Sequence, residues 1–279
     1  MTSLTVHAPD GVPEVVEGTD LAAALLGALG HGTGGHDLVD GDVVVVTSKV
    51  VSKSEGRVRR GDRARALADE SGALLWLDEG QTGMGRTGEW FGYQNFGVKP
   101  DIVTMAKGVA SGYAAISCTV TTERVFDMFK DDASDPLNYF RDISTFGGCT
   151  SGPVAALENM RIIEDENLLA NTDAMGARMM DNLHALMDKH RVIGDVRGKG
   201  LFCGVELVSD RTTKEVVTEA QVAAVVAECG ARGVIIGASN RSVPDKNNCL
   251  CFSPALISTA DDIDQITDAV DGALTKVFG

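Results

Sequence analysis

The sequence predicts an α/β chain, with a mostly parallel sheet in its central part, a smaller α+β unit after it and a separate α/β segment before it. Three observations carry this. Short apolar runs at "VVVV" (43–46), "ALLWLD" (73–78) and "DIVTMA" (101–106) are bounded by glycine and polar signals, as buried parallel strands are. Two long stretches, 167–190 and 258–279, repeat apolar residues at helical spacing. The 279 residues suffice for two ordinary domains, at roughly 150 residues each.

The elements follow in order. "GALGHGTGGHD" (27–37) is a glycine-rich loop, and its His31 and His36, without nearby cysteines or well-placed carboxylates, make a poor metal site. "LVDGD" turns the chain into the Val43–Val46 strand. Arg57, Arg59, Arg60, Arg63 and Arg65, beside Asp62, Asp69 and Glu70, read as a solvated, charge-mixed helix face, with an anion contact as the alternative. "PVAALENMR" (153–161) opens a helix with proline near its first turn. In 167–190 the stripe of Leu168, Met175, Met179, Leu183, Leu186 and Met187 is core packing, since unbranched methionine fills irregular gaps. "LFCGVELV" and "GVIIGA" read as strands of the smaller unit. The closing helix has a Ser/Thr cap, early acids and Ile263, Ile266, Val270 and Leu274 on one face.

Composition narrows the function. A net charge of −15 argues against a non-specific nucleic-acid surface, which needs clustered lysine and arginine. The six cysteines form no C-x-x-C pair, and the chain opens on no basic-then-apolar leader, so a reducing cytoplasm and unpaired thiols are expected. Apolar runs all fall short of the ~18 residues that suggest a membrane span.

The chemistry concentrates in "LLWLDEGQTGMGRTG" (74–88) and "DIVTMAKG" (101–108). Gly83, Gly85 and Gly88 spell G-x-G-x-x-G, but Asp78, Glu79, Gly80, Gln81 and Thr82 stand before the first of them and no apolar helix start follows, so nicotinamide binding is not expected. Asp78 and Lys107 each end an apolar run. An aspartate there can keep a pyridine nitrogen protonated, and a lysine at the neighbouring strand end can form an imine with an aldehyde, which together describe pyridoxal 5′-phosphate. Spacing alone favours an ordinary strand-end acid and a surface lysine.

From about residue 72 to the end, "LLWLDEGQTGMGRTGEWFGYQNFGVKPDIVTMAKGVASGY", "STFGG" and "VIGDVRGKGLFCGVEL" resemble the class III (ω-amino-acid) aminotransferases. The likeness is nearest to the taurine–pyruvate and β-alanine–pyruvate type and covers the second half of such an enzyme. It implies a partial fold type I transferase, with a partial cofactor-binding large domain at 71–160 and a C-terminal small domain at 161–279. It implies transamination from an ω-amino donor, of taurine or β-alanine type, to a keto acid such as pyruvate, with pyridoxal 5′-phosphate as cofactor. Lys107 would bind the cofactor covalently, Asp78 would pair with its pyridinium, and Gln81 would hydrogen-bond its phenolic oxygen. Ser144 and Thr145 would reach the cofactor phosphate of a neighbouring subunit, which implies a homodimer, and Arg197 would grip the keto-acid carboxylate. Where the family has valine or isoleucine against the ring, this chain has Gly80.

Residues 1–70 resemble something else. "DGVPEVVEGTDLAAALL" and "LVDGDVVVVTSKVVSKSEGR" are similar to the start of coenzyme F420-0:γ-glutamyl ligase, a GTP-dependent enzyme whose later metal and nucleotide segments have no counterpart here. Lys49, Lys53 and Arg57 therefore receive no role. The chain reads as the head of one enzyme joined to the tail of another, without the polar linker of a domain fusion. A ligase fragment and an inactive chimeric remnant are the alternatives to the aminotransferase reading. A chimera of two truncated reading frames is the preferred account of this join, and it would be refuted by residues 43–46 pairing in the same sheet as 74–77 with a continuous core around them.

Overall fold

The computed structural model describes Val43–Val45 and residues 61–130, 134, 139–140, 143–240 and 245–279. The loop at 27–37 with its two histidines, and Lys49, Lys53, Arg57, Arg59 and Arg60, lie outside the described residues. The chain divides into two compact units, Met1–Gly83 with Phe91–Asn159, and Met84–Trp90 with Met160–Gly279.

In the first unit, β1 (Val43–Val45), β2 (Leu74–Asp78), β3 (Ile102–Met105) and β4 (Cys118–Thr121) form a sheet in that order. The pairings are parallel from β1 to β3 and antiparallel at β4. Val43 stands level with Leu74 and Val45 with Trp76, so the two stretches of resemblance meet inside one sheet. The shared sheet meets the first of the two conditions against a chimera; the side chains of β1, on which the second rests, lie outside the described residues.

Helix α1 (Gly61–Ser71) delivers the chain into β2. It ends where Ser71 Oγ turns back to donate to Leu67 O at 2.8 Å and Gly72 takes a φ of 73°, the left-handed stop that glycine accepts without strain. Its buried Ala68 packs with Leu75 and Val98. Arg65 departs from the solvated helix face read in the sequence. Its guanidinium reaches Asp101 Oδ2 at 2.6 Å, and the same buried carboxylate accepts from Leu75 N at 2.9 Å and from Arg124 at 2.8 Å. One acid thus fastens α1, β2, the entry to β3 and helix α2 (Glu123–Asp127).

The second unit is an antiparallel sheet packed against helices. Strands β5 (Ile193–Lys199), β6 (Phe202–Asp210), β9 (Cys249–Phe252) and β8 (Gly237–Ala238) lie in the order β5-β6-β9-β8, with β7 (Glu215–Val216) paired to β6. Helices α4 (Leu168–Lys189), α5 (Glu219–Ala231) and α6 (Ala260–Phe278) contribute to its core. Met179, Leu183, Leu250, Ile263, Val270 and Leu274 are fully buried there, and Met175, Leu186, Met187 and Ile266 pack around them. The methionine stripe is core, as its spacing requires. Thr259 caps α6, accepting from Asp262 N while the Asp262 carboxylate accepts from Thr259 N, a reciprocal pair written in "STADD". "GVIIGA" differs from expectation: only Gly237–Ala238 joins a ladder, while Val234 and Ile236 are buried and Ile235 is 97% exposed. Ile263→Val in this core is expected to cost about 1 kcal/mol in urea unfolding, the loss of one buried methylene without a large cavity.

Among the described residues, no helix is long and apolar enough to cross a membrane. None of the six cysteines forms a disulfide.

Candidate active site

Strands β2 and β3 run parallel with Asp78 level with Thr104, so both chain exits open on the same sheet edge. Asp78 ends β2, and its Oδ1 accepts from Gly80 N at 2.9 Å, folding the carboxylate over the next turn. Two residues past β3, Lys107 begins a short 3-10 turn, Lys107–Ala110. Its φ of 48° places it in the left-handed region, which a non-glycine residue occupies only where its surroundings hold it.

Gly80 lies between them. A Cβ built on it would sit 3.0 Å from Asp78 Oδ1 and 3.3 Å from Lys107 Nζ, so acid and amine converge on one small hollow. That hollow is where valine or isoleucine was expected from the family pattern. A side chain placed there would push both groups aside.

Glu79, unassigned by the sequence reading, is the buried partner of this edge. Its carboxylate accepts from Thr82 Oγ1 at 2.5 Å, Gly92 N at 2.8 Å and Tyr93 N at 2.9 Å, tying the 79–82 turn to the 3-10 turn Gly92–Phe96. Burial and the negative Glu79 together push the Tyr93 hydroxyl above its ordinary range. Adjacent acids at a strand end do not say which one faces solvent. Here Asp78 is exposed and Glu79 is 5% exposed, which divides their roles.

Of the other residues expected at the site, Gln81, Ser144 and Thr145 belong to the first unit and Arg197 to the second. Gln81 is exposed, in the turn that Glu79 holds. Ser144 and Thr145 are exposed in a turn closed by Gly147 N donating to Ser144 O at 2.9 Å, between Ile143 and Phe146, 94% and 82% exposed. Arg197 belongs to the second unit. Its Nη1 donates to Asp195 at 2.6 Å and Glu206 at 2.7 Å, and its Nη2 faces Cys249 Sγ at 3.8 Å. Burial opposes its charge, but the two carboxylates outweigh burial and raise its pKa. The Cys249 thiol is held protonated by the thiol of Cys251 and by burial, despite Arg197.

The glycines of G-x-G-x-x-G serve packing. Gly85 and Gly88 have φ of 87° and 88°, and an added Cβ would stand 3.1 Å from Leu169 and Leu256 at Gly85, and 2.1 Å from Asp173 at Gly88. Arg86 between them donates from Nη1 to the carbonyls of Leu201 and Pro254. Burial alone lowers its pKa.

The family profile of aminotransferase class III matches residues 60–274. The chain belongs to the class III aminotransferase family. A second profile, F420-0:γ-glutamyl ligase, matches residues 11–74. The hypotaurine/taurine–pyruvate aminotransferase of Paracoccus denitrificans is 60% identical over 274 residues, covering 98% of this chain and 56% of the relative. The taurine–pyruvate aminotransferase of Rhodobacter capsulatus is 65% identical over 204 residues, covering 73% and 44%. The class III chain thus spans about half the length of the relatives it matches. Among solved structures, a Bacillus anthracis aminotransferase superposes with TM-score 0.77 at 36% identity over 80% of this chain and 49% of that one. An amine transaminase from an uncultivated Pseudomonas species, solved in its PLP-bound (internal aldimine) form, superposes with TM-score 0.73 at 30% identity over 80% and 49%. The described α/β architecture is that of these transaminases, and the cofactor of the class III family is pyridoxal 5′-phosphate. The donor set beside Gly80 fits that group, with an exposed amine to meet an aldehyde and an exposed carboxylate to meet a cationic ring nitrogen.

Proposed function

We propose that the chain takes part in transamination of an ω-amino donor of the taurine or β-alanine type to a keto acid such as pyruvate. The observation that carries the reading is the convergence of Asp78 and Lys107 on the hollow at Gly80, in a member of this family. Names of the similar proteins, taurine–pyruvate aminotransferases among them, support the substrate class. When bound, pyridoxal 5′-phosphate supplies an electron sink that lets a proton leave the carbon bearing the donor's amino group. Lys107 would hold the cofactor through its amine and would carry that proton. Asp78 would pair with the ring nitrogen, and Gln81 would hydrogen-bond the phenolic oxygen. On this reading residues 71–160, apart from the 84–90 segment that packs in the second unit, form the cofactor-binding part and 161–279 the small domain.

Ser144 and Thr145 contribute phosphate contacts to a second copy, so the working form is a homodimer in the cytoplasm. The exposed Ile143 and Phe146 on either side of them support association. Arg197 takes the keto-acid carboxylate, which requires it to exchange Asp195 or Glu206 for substrate. Arg197→Ala is therefore expected to raise the KM for pyruvate about tenfold or more, the cost of one charged hydrogen bond, with a smaller change in kcat. The test is conversion of taurine or β-alanine with pyruvate to alanine, followed by chromatography, with pyridoxal phosphate added. No alanine above the protein-free control under any donor rejects the reading. A second reading attaches to residues 11–74 through the F420-0:γ-glutamyl ligase profile, and magnesium-dependent GTP binding by calorimetry would favour it.

A further inference from the structure

Lys107 stands in a stretch of uncommon backbone. Its φ is 48°, Ser111 has 51° and Gly112 has 79°, so three left-handed residues flank a turn whose middle is buried. Val109 and Ala110 are 0% and 1% exposed. Such a turn persists only where tertiary contacts hold it.

Helix α3 (Ser151–Asp165) supplies one. Gly152 and Ala156 are buried on one side of it, and Asn159 follows on the same stripe, where the pattern calls for a small or apolar residue. An asparagine there is a poor helix former, and partial burial adds a desolvation cost unless its amide is bonded. Asn159 Nδ2 donates to Gly108 O at 2.9 Å and to Val109 O at 3.2 Å. Gly108 O also accepts from Ser111 N at 3.2 Å. The carbonyl of Val109, beside a fully buried side chain, has Asn159 as its bonding group.

We infer that Asn159 is a positioning residue for Lys107: its amide fixes the carbonyls that follow the lysine and so keeps the lysine backbone left-handed, with Nζ directed at the Gly80 hollow. The inference rests on the reading of Lys107 as the cofactor lysine. Asn159 itself touches no reacting atom, and its effect passes through the turn.

The test uses the full chain. Protein is incubated with sub-saturating pyridoxal phosphate and reduced with borohydride, and the pyridoxyl fraction on each lysine is read by peptide mass spectrometry, beside a thermal melt. Asn159→Ala is expected to lower the label on Lys107 about tenfold, the equivalent of one net hydrogen bond, without lowering it on other lysines. Asn159→Asp keeps the shape but, when ionised, donates nothing to two carbonyl oxygens. Its Lys107 label, normalised to wild type at each pH and to folded protein, should be low above neutrality and recover as acid returns a proton to the carboxyl. Asn159→Gln, which keeps both donors, should restore part of the label.

A role in packing alone would lower the melting temperature of the variants, yet leave the label on folded protein and its pH profile as in wild type. That result overturns the inference. Lys107 unlabelled in wild type overturns the underlying reading, and the inference with it.

Discussion

Lys107→Ala is expected to abolish borohydride-fixed pyridoxyl labelling at that peptide and to slow amine transfer by at least about a thousandfold, the scale set by losing a positioned proton carrier. On the proposed reading, one side chain does two jobs. Its Nζ reaches within 3.3 Å of the point that Asp78 Oδ1 also approaches at 3.0 Å, so removing it empties one side of the hollow while leaving the acid in place. Lys107→Arg is the control, since arginine keeps a positive charge but stays protonated and cannot attack an aldehyde. Both variants should melt near wild type, because Lys107 is exposed and its side chain makes no structural hydrogen bond among the described residues. Residual turnover within tenfold of wild type in Lys107→Ala would place the amine elsewhere.

Asp101→Asn carries the largest expected loss of stability, about 3 kcal/mol in urea unfolding at neutral pH, the scale of breaking a buried charge pair on one side. The partners do not weigh equally. Arg124 is 68% exposed, so its bond to Asp101 contributes at most about 1 kcal/mol. Arg65 is 20% exposed, with Nε buried and lacking a hydrogen-bond partner among the described residues, and so depends far more on the carboxylate. Burial pushes the Asp101 carboxyl upward, but hydrogen bonds from Arg65, Leu75 N and Arg124 overcome it and hold the group below its ordinary value. A value lower in the folded than in the unfolded chain stabilises above the unfolded value, and the contribution disappears as pH falls through the folded one. The gap between wild type and Asp101→Asn should therefore be constant from neutrality down to about pH 4 and close below it. A gap unchanged well below that range would mean that the asparagine acts through shape and not charge.

How far the sequence foretold this molecule depended on how local each signal was. Helices α4 and α6 were legible because every third or fourth residue points at one core, and the Thr259–Asp262 cap lies within four residues. Asp78 and Lys107 stood out because each ends an apolar run, and a parallel register then brings them to one edge. Glu79 and Asn159 left no such mark. The Asn159 bonds span 50 and 51 residues, and only a folded turn shows which carbonyls lack partners. β8 was overdrawn from "GVIIGA" because alternation of burial occurs there without a ladder beyond two residues. Arg197 was read as a substrate ligand from its motif; its partner Asp195 lies two residues away in sequence, but Glu206, nine residues on, became visible only across the β5–β6 hairpin.

The segment Met84–Trp90 has a consequence for anyone who would dissect this gene. It belongs to the second unit although Phe91–Asn159 intervenes before the rest of that unit begins. Leu201 N donates to Arg86 O at 3.1 Å, and Gly200, φ 56°, lies so close to Thr87 that an added Cβ would stand 2.7 Å from its carbonyl carbon. A ribosome therefore makes this piece of the unit long before the β5–β6 hairpin that receives it, and the hairpin can seat it only after more than a hundred further residues have emerged. A plasmid encoding 160–279 alone would express a sheet with an unfilled seat, and a peptide of residues 84–90 supplied in trans is the missing part.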